Sequence, residues 1–213
     1  DKFYGKYNSK EMDNETFCRY VFKETAGYLY FRFKKSSFRE FREILKFIIS
    51  RGVAIMKYDC GFTKENNWFR YRAAAIIIEN DSILFVRNTR DKYFYSVGGG
   101  VHMGETAEDA VKREVFEETG VAYEVDRLAF IHENFFDGDG SLDGMKCHEI
   151  ALYYIMKPRG TQELNSNSYT QGVREEMHWI PIKDIDKYRA YPSFLKKEIG
   201  NLQPEIKHVI TYE

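Results

Sequence analysis

Glu114, Glu117 and Glu118 are the residues of this chain most suited to chemistry. On a helix, at about 100° per residue, their side chains fall within an arc of about 100° and share one face. Like charges at these spacings cost an isolated helix a few tenths of a kcal/mol per pair, roughly, so the arrangement calls for compensation. Hard divalent cations supply it, since magnesium takes oxygen ligands and in turn binds phosphate oxygens. The competing reading of any E-x-x-E-E helix is a solvated acidic face. A helix is expected over 107–119: Thr106, with Asp109 three residues on, is a variant capping signal, and Gly120 supplies the stop.

The surroundings favour the first reading. The segment from Gly99 to Val121 carries Gly99, Glu105, Arg113, Glu114, Glu117, Glu118 and Gly120, with hydrophobic Val115 and Val121. It resembles the Nudix box at every fixed position, a coincidence of about one in 10⁸ to 10⁹ starts by chance. The resemblance implies a mixed sheet in an α/β/α sandwich. It also implies hydrolysis of a nucleoside diphosphate linked to another moiety, such as a nucleoside triphosphate or a nucleotide sugar, with Mg2+ or Mn2+ as cofactor. Carried onto this chain, Glu114, Glu117 and Glu118 become metal ligands, assisted by a backbone carbonyl of Gly98 or Gly99, and Arg113 and Glu105 become the pair that orients the helix. The metals would neutralise the diphosphate and acidify the attacking water. Two positions depart from common family usage: Val97 stands where a proline is frequent, and His102 where a glutamate is. They bear on loop shape and substrate approach rather than on catalysis.

Candidates outside the box follow from weaker signals. Glu175 and Glu176 precede Trp179-Ile180-Pro181, similar to the family's late acidic loop, and either is a candidate general base. Glu149 and Glu133 are lesser candidates. Arg87 and Arg90 follow a core strand within reach of substrate phosphates, and Tyr95 and Phe135 lead the aromatics suited to stacking on a base. The flanks of the box lack marks of a particular substrate subgroup. Two other classes stay open: a Nudix module that senses a nucleotide without cleaving it, and an enzyme that processes RNA 5′ ends. Asp137-Gly138-Asp139-Gly140-Ser141 begins like a calcium loop but has Leu142 at the glycine position and His148 at the terminal acid, so a long hairpin loop is expected.

The elements that must position these groups fall into two zones. Residues 1–68 carry 14 Lys and Arg against 9 Asp and Glu, and since the whole chain is −1, the remainder stands at −6. A small α/β unit is expected over 1–68: a helix at 10–24, a strand at 27–33, a helix with the stripe Phe38, Phe41, Leu45, Ile48 and Ile49, and a strand at 53–56. Its stripe is expected to dock on the core or on a second copy in a homodimer. The Nudix hydrolase domain is expected over 69–213, with a strand at 72–78 returning through a hairpin as 83–87. Further strands are expected at 125–135, 148–156 and 177–182, and helical segments near 183–189 and 193–200. The C-terminal run 206–212 alternates like a strand and is expected to join the sheet of the N-terminal unit. No apolar run approaches the roughly 20 residues that span a bilayer. The three cysteines lack metal or redox spacing. These features suggest a cytoplasmic protein with neither nucleic acid nor membrane as partner, and the resemblance implies a nucleotide-type small molecule as substrate.

Overall fold

The computed structural model describes residues 58–88, 93–170 and 172–213. The elements expected before residue 58 lie outside the described residues, as does Arg90. A division of the chain falls between Lys57 and Tyr58, about ten residues before the expected boundary. The polar stretch 63–67, near the expected end of the N-terminal unit, forms a hairpin turn. Strand β1 (Gly61–Lys64) pairs antiparallel with β2 (Asn67–Ile76), and Glu65 turns the corner with a φ of 56°. Polar residues suit either a linker or a tight turn, and only the pairing distinguishes them.

Two sheets form the body. The first has the order β1, β2, β8 (Lys146–Met156), β7 (Val125–Asp137), β12 (Lys207–Tyr212), with β6 (Gly98–Gly100) also paired to β2. The second runs β11 (Ala190–Tyr191), β5 (Phe94–Ser96), β4 (Ser82–Asn88), β10 (Val173–Pro181), β9 (Tyr169–Thr170), with β3 (Ile78–Glu79) beside β4. The first sheet is mixed, because β2 runs parallel to β8 while β7 runs antiparallel to it.

One expectation is corrected by this pairing. The strand 83–87 is the hairpin partner of Ile78–Glu79 alone, since the chain leaves the first sheet at Ile77 and enters the second. Glu79, only 2% exposed, accepts hydrogen bonds from the backbone N–H of Arg159 and Gly160 there. Among the described residues the C-terminal strand pairs with β7: β12 runs parallel to it, from Lys207 beside Phe130 to Tyr212 beside Phe135, while the sheet it was expected to join lies outside the described residues. Alternation predicts that a strand exists but not which edge receives it.

Helix α1 (Ala107–Thr119) covers one side, burying Ala107, Ala110, Val111 and Val115 against Ala73, Ala75, Leu84, Val86 and Val97. Each buried valine stabilises the contact by about 1.5–3 kcal/mol relative to exposure. On the other side a 3-10 turn at Ile182–Lys187, the short helix α2 (Leu195–Glu198) and the turn Ile199–Asn201 place Ile185, Leu195 and Ile199 against Ile76, Ile83, Phe85 and Ile180. Among the described residues the result is the expected mixed α/β architecture, with one long helix and few short ones. The loop between β7 and β8 holds a 3-10 turn at Gly140–Leu142, in keeping with a hairpin connection. No helix among the described residues is long and apolar enough to cross a membrane.

Candidate active site

The box helix begins and ends where local chemistry dictates. The Thr106 side chain accepts a hydrogen bond from the Asp109 N–H at 3.1 Å, satisfying one of the first-turn donors that no helical carbonyl can reach. At the far end Gly120 adopts a left-handed φ of 70° and its N–H closes on the Phe116 carbonyl at 2.9 Å. A side chain at 120 would be strained by that conformation and would strike the Asn165 backbone.

Near its start the helix is braced. Arg113 grips Glu105 with two parallel bonds, Nε to Oε1 and Nη2 to Oε2, both 2.9 Å, while Nη2 also reaches the Gly100 carbonyl at 3.0 Å. The His102 N–H donates to the same carboxylate at 3.1 Å. These contacts, Arg113 foremost, lower the Glu105 pKa to about 2. For Arg113, burial acts to lower the pKa, but hydrogen bonds to Glu105 and Glu114 outweigh it and leave the value raised. His102, the departure noted above, lies between Asp59 and Glu105. Asp59 also closes over Gly100, where its carboxylate would collide with any Cβ. Loop shape at this departure is therefore set by a residue preceding β1.

Toward its end the helix turns its carboxylates into the glycine run. The Gly98 N–H donates to Glu118 Oε1 at 3.0 Å. A Cβ on Gly99 would stand 2.6 Å from the Glu114 carboxylate, so only glycine admits that approach. Burial raises the pKa of Glu114 against the opposing pull of Arg113, and raises that of Glu118 well above the ordinary carboxylate range. Oε2 of Glu118 is buried with no hydrogen-bond partner. Glu117 is exposed and accepts from Arg113 Nη1 at 3.1 Å; the same nitrogen holds Glu114 at 2.5 Å. Among the described residues no three acidic, histidine or cysteine side chains converge as a ready-made ion site. Arg113 is the reason for two of them, because it draws Glu114 and Glu117 to itself.

The two candidate bases separate across β10. Glu175 lies opposite Asn88 on β4, on the side of the second sheet that faces α1. It is 6% exposed and accepts hydrogen bonds from the hydroxyls of Tyr95 (2.7 Å), Thr170 (2.6 Å) and Ser168 (2.5 Å). Its charge is felt at Glu118. Glu176, opposite Arg87, is exposed on the other face beside His178. Arg87 stacks over Phe94 at 5.7 Å on that same face, so neither Glu176 nor Arg87 joins the box carboxylates. Tyr95 is engaged with Glu175, and burial followed by that bond pushes its phenol pKa up. Phe135 lies away from the box, stacked between His148 (4.3 Å) and Tyr212 (5.2 Å). Of the lesser acids, Glu149 is buried and paired with Arg70, and Glu133 meets His208.

The sequence and the fold are matched by known proteins. A family model for the NUDIX domain covers residues 69–200. The chain belongs to the Nudix family. A complete box on a Nudix domain makes it a Nudix-type pyrophosphohydrolase. A MutT-like protein of Streptomyces ambofaciens is 32% identical over 118 residues, which span 55% of this chain and 67% of that protein. The crystal structure of a MutT protein from Bacillus halodurans has a TM-score of 0.50 at 16% identity, covering 67% of this chain and 89% of that one. That likeness shows the Nudix fold. Sequence reasoning missed Arg72, whose guanidinium lies in electrostatic reach of Glu149, Glu118 and Glu114. Its stretch, Arg72-Ala73-Ala74-Ala75-Ile76, reads only as a buried strand.

Proposed function

We propose that this Nudix enzyme hydrolyses the diphosphate linkage of a nucleoside diphosphate joined to a further group, with Mg2+ or Mn2+ held by Glu114, Glu117, Glu118 and a carbonyl of the Gly98-Gly99 pair. One observation supports the metal: Glu118 Oε2 is buried without a partner beside a second desolvated carboxylate, Glu114. Buried, unpartnered anionic oxygen is costly unless a cation neutralises it, and an all-oxygen donor set suits magnesium. Bound there, the ion would neutralise the diphosphate and acidify a water.

The chain's own groups take the remaining roles. Arg113 and Glu105 hold the carboxylate-bearing turns in place. Glu175, fixed by three hydroxyls and facing the box helix, accepts the proton of the attacking water, and Tyr95 keeps its carboxylate oriented. Glu176 takes no part, because β10 points it away.

A screen of nucleoside triphosphates, nucleotide sugars and dinucleoside polyphosphates tests the reading, run with magnesium and again after chelation. Turnover should appear only with the ion. Glu175→Gln should lower kcat by at least ~10²-fold, a usual loss for a general base, while Glu176→Gln stays within about threefold of the parent. Full turnover after chelation would refute the metal role, and equal effects of the two substitutions would refute the choice of base.

A further inference from the structure

Arg72 has no place in these roles, yet its surroundings are unusual. It stands on β2 directly across from Gly100 of the glycine run, within electrostatic reach of Glu149, Glu118 and Glu114. Among the described residues it hydrogen-bonds none of these carboxylates. Its Nη2 donates to the Ser96 carbonyl at 2.7 Å and lies 3.5 Å from the Ser96 hydroxyl. Its Nε is buried with no partner at all. A guanidinium carries five N–H donors in a rigid fork, and here the buried Nε–H is left unmet, which is costly.

The neighbours show why no carboxylate claims it. Glu149 Oε2 is already taken twice by Arg70, through Nε at 2.8 Å and Nη2 at 2.5 Å. Glu114 is held by Arg113, and Glu118 Oε1 by the Gly98 N–H. Arg70 is thereby neutralised, and its guanidinium lies over Trp68, 5.1 Å from the ring centroid. Arg72 differs: it is anchored at one corner by Ser96, bonds no carboxylate and keeps its Nε without a partner.

We propose that Arg72 is a substrate-binding residue, its guanidinium gripping non-bridging oxygens of the diphosphate while Ser96 fixes its orientation. The inference rests on the hydrolase reading above. It adds a protein-borne positive charge to the ions on the box carboxylates, so that the diphosphate is held from two directions. The planar fork of arginine matches phosphate oxygens in pairs, where lysine offers only a point charge. The ligand class is a diphosphate, whatever group it carries.

Binding of inorganic pyrophosphate to the full chain with magnesium, measured by titration calorimetry, tests the assignment without reference to the rest of the substrate. Arg72→Gln should weaken binding by at least ~10-fold, the loss of a charge-assisted contact, and Arg72→Lys should fall between that variant and the parent. If Arg72→Gln does not fold, a loss of at least ~3-fold in Arg72→Lys decides in favour of the proposal and a smaller loss decides against it. Equal affinity in the parent and Arg72→Gln, or no binding of pyrophosphate by the parent, would overturn it. The hydrolase reading is judged separately. Turnover of a nucleotide compound with unchanged KM in Arg72→Gln would keep the enzyme and remove Arg72 from its substrate site. Failure of the parent to turn over any compound would strike the hydrolase reading, and the pyrophosphate comparison would still decide Arg72.

Discussion

The two ends of the box helix are built on opposite principles. Around its start, Thr106 caps, Arg113 pairs with Glu105 and the Gly100 carbonyl, and the His102 N–H completes the carboxylate, although His102 Nδ1, 3.4 Å from Glu105 Oε2, makes no hydrogen bond. Around its end, Glu118 keeps a buried oxygen without a partner and Arg72 keeps a buried nitrogen without one. Opposite charges lie close together yet are not joined. The braced end serves stability, and on the reading proposed above the other end holds binding capacity in reserve for a cation and an anion. Substitutions should therefore divide into those that cost stability and those that cost activity.

The largest expected effect is at the unsatisfied end. Glu118→Gln should cut turnover by at least ~10²-fold, as loss of a metal ligand does, while the melting temperature measured without divalent ion stays at or above the parent value. Removing a buried charge with an unpartnered oxygen relieves a cost and breaks only what an amide oxygen can restore at Gly98. A clear drop in melting temperature would place Glu118 in the brace and dissolve the comparison.

A smaller effect is expected at the braced end, and in stability. Glu105→Gln weakens a bidentate pair and should cost about 2–3 kcal/mol in urea unfolding, within the range for breaking a sheltered charge pair. The pH dependence has a definite sign. The Glu105 pKa is lowered from 4.5 to about 2, so its contribution to stability is present above about 4.5 and is lost as pH falls toward about 2. Comparing the parent with Glu105→Gln across that window isolates the contribution. A constant difference down to pH 2 would show that the pair does not act through charge.

The smallest effect is at the cap. Thr106→Ala removes the hydrogen bond to the Asp109 N–H and should cost about 1 kcal/mol, with kcat nearly unchanged because the cap lies at the far end from Glu118. Thermal unfolding and steady-state kinetics on one preparation check both halves. A large loss of activity with no loss of stability would mean that the two ends communicate.

What the sequence by itself determined is what neighbouring residues decide among themselves. The span of the box helix follows from Thr106, Asp109 and Gly120, because capping and left-handed stops are settled within a few residues. The common face of Glu114, Glu117 and Glu118 follows from helical pitch alone, and the alternation of 206–212 was enough to announce β12. The tertiary structure decided everything that depends on register between distant segments. Alternation puts Glu175 and Glu176 on opposite faces, but only the pairing of β10 with β4 shows that Glu175 is the one facing the helix and meeting Tyr95, 80 residues away. It also folded the polar stretch 63–67 into a hairpin, and it carried β12 to β7. Arg72 is the clearest case: in sequence it is a lone cation before an apolar run, and only the approach of Gly100, Ser96 and the box carboxylates gives it a site. Contacts between residues close in the chain are set by local geometry at little entropic cost. Those between distant residues exist only after the whole core has closed, and no local pattern of residue types encodes which will meet.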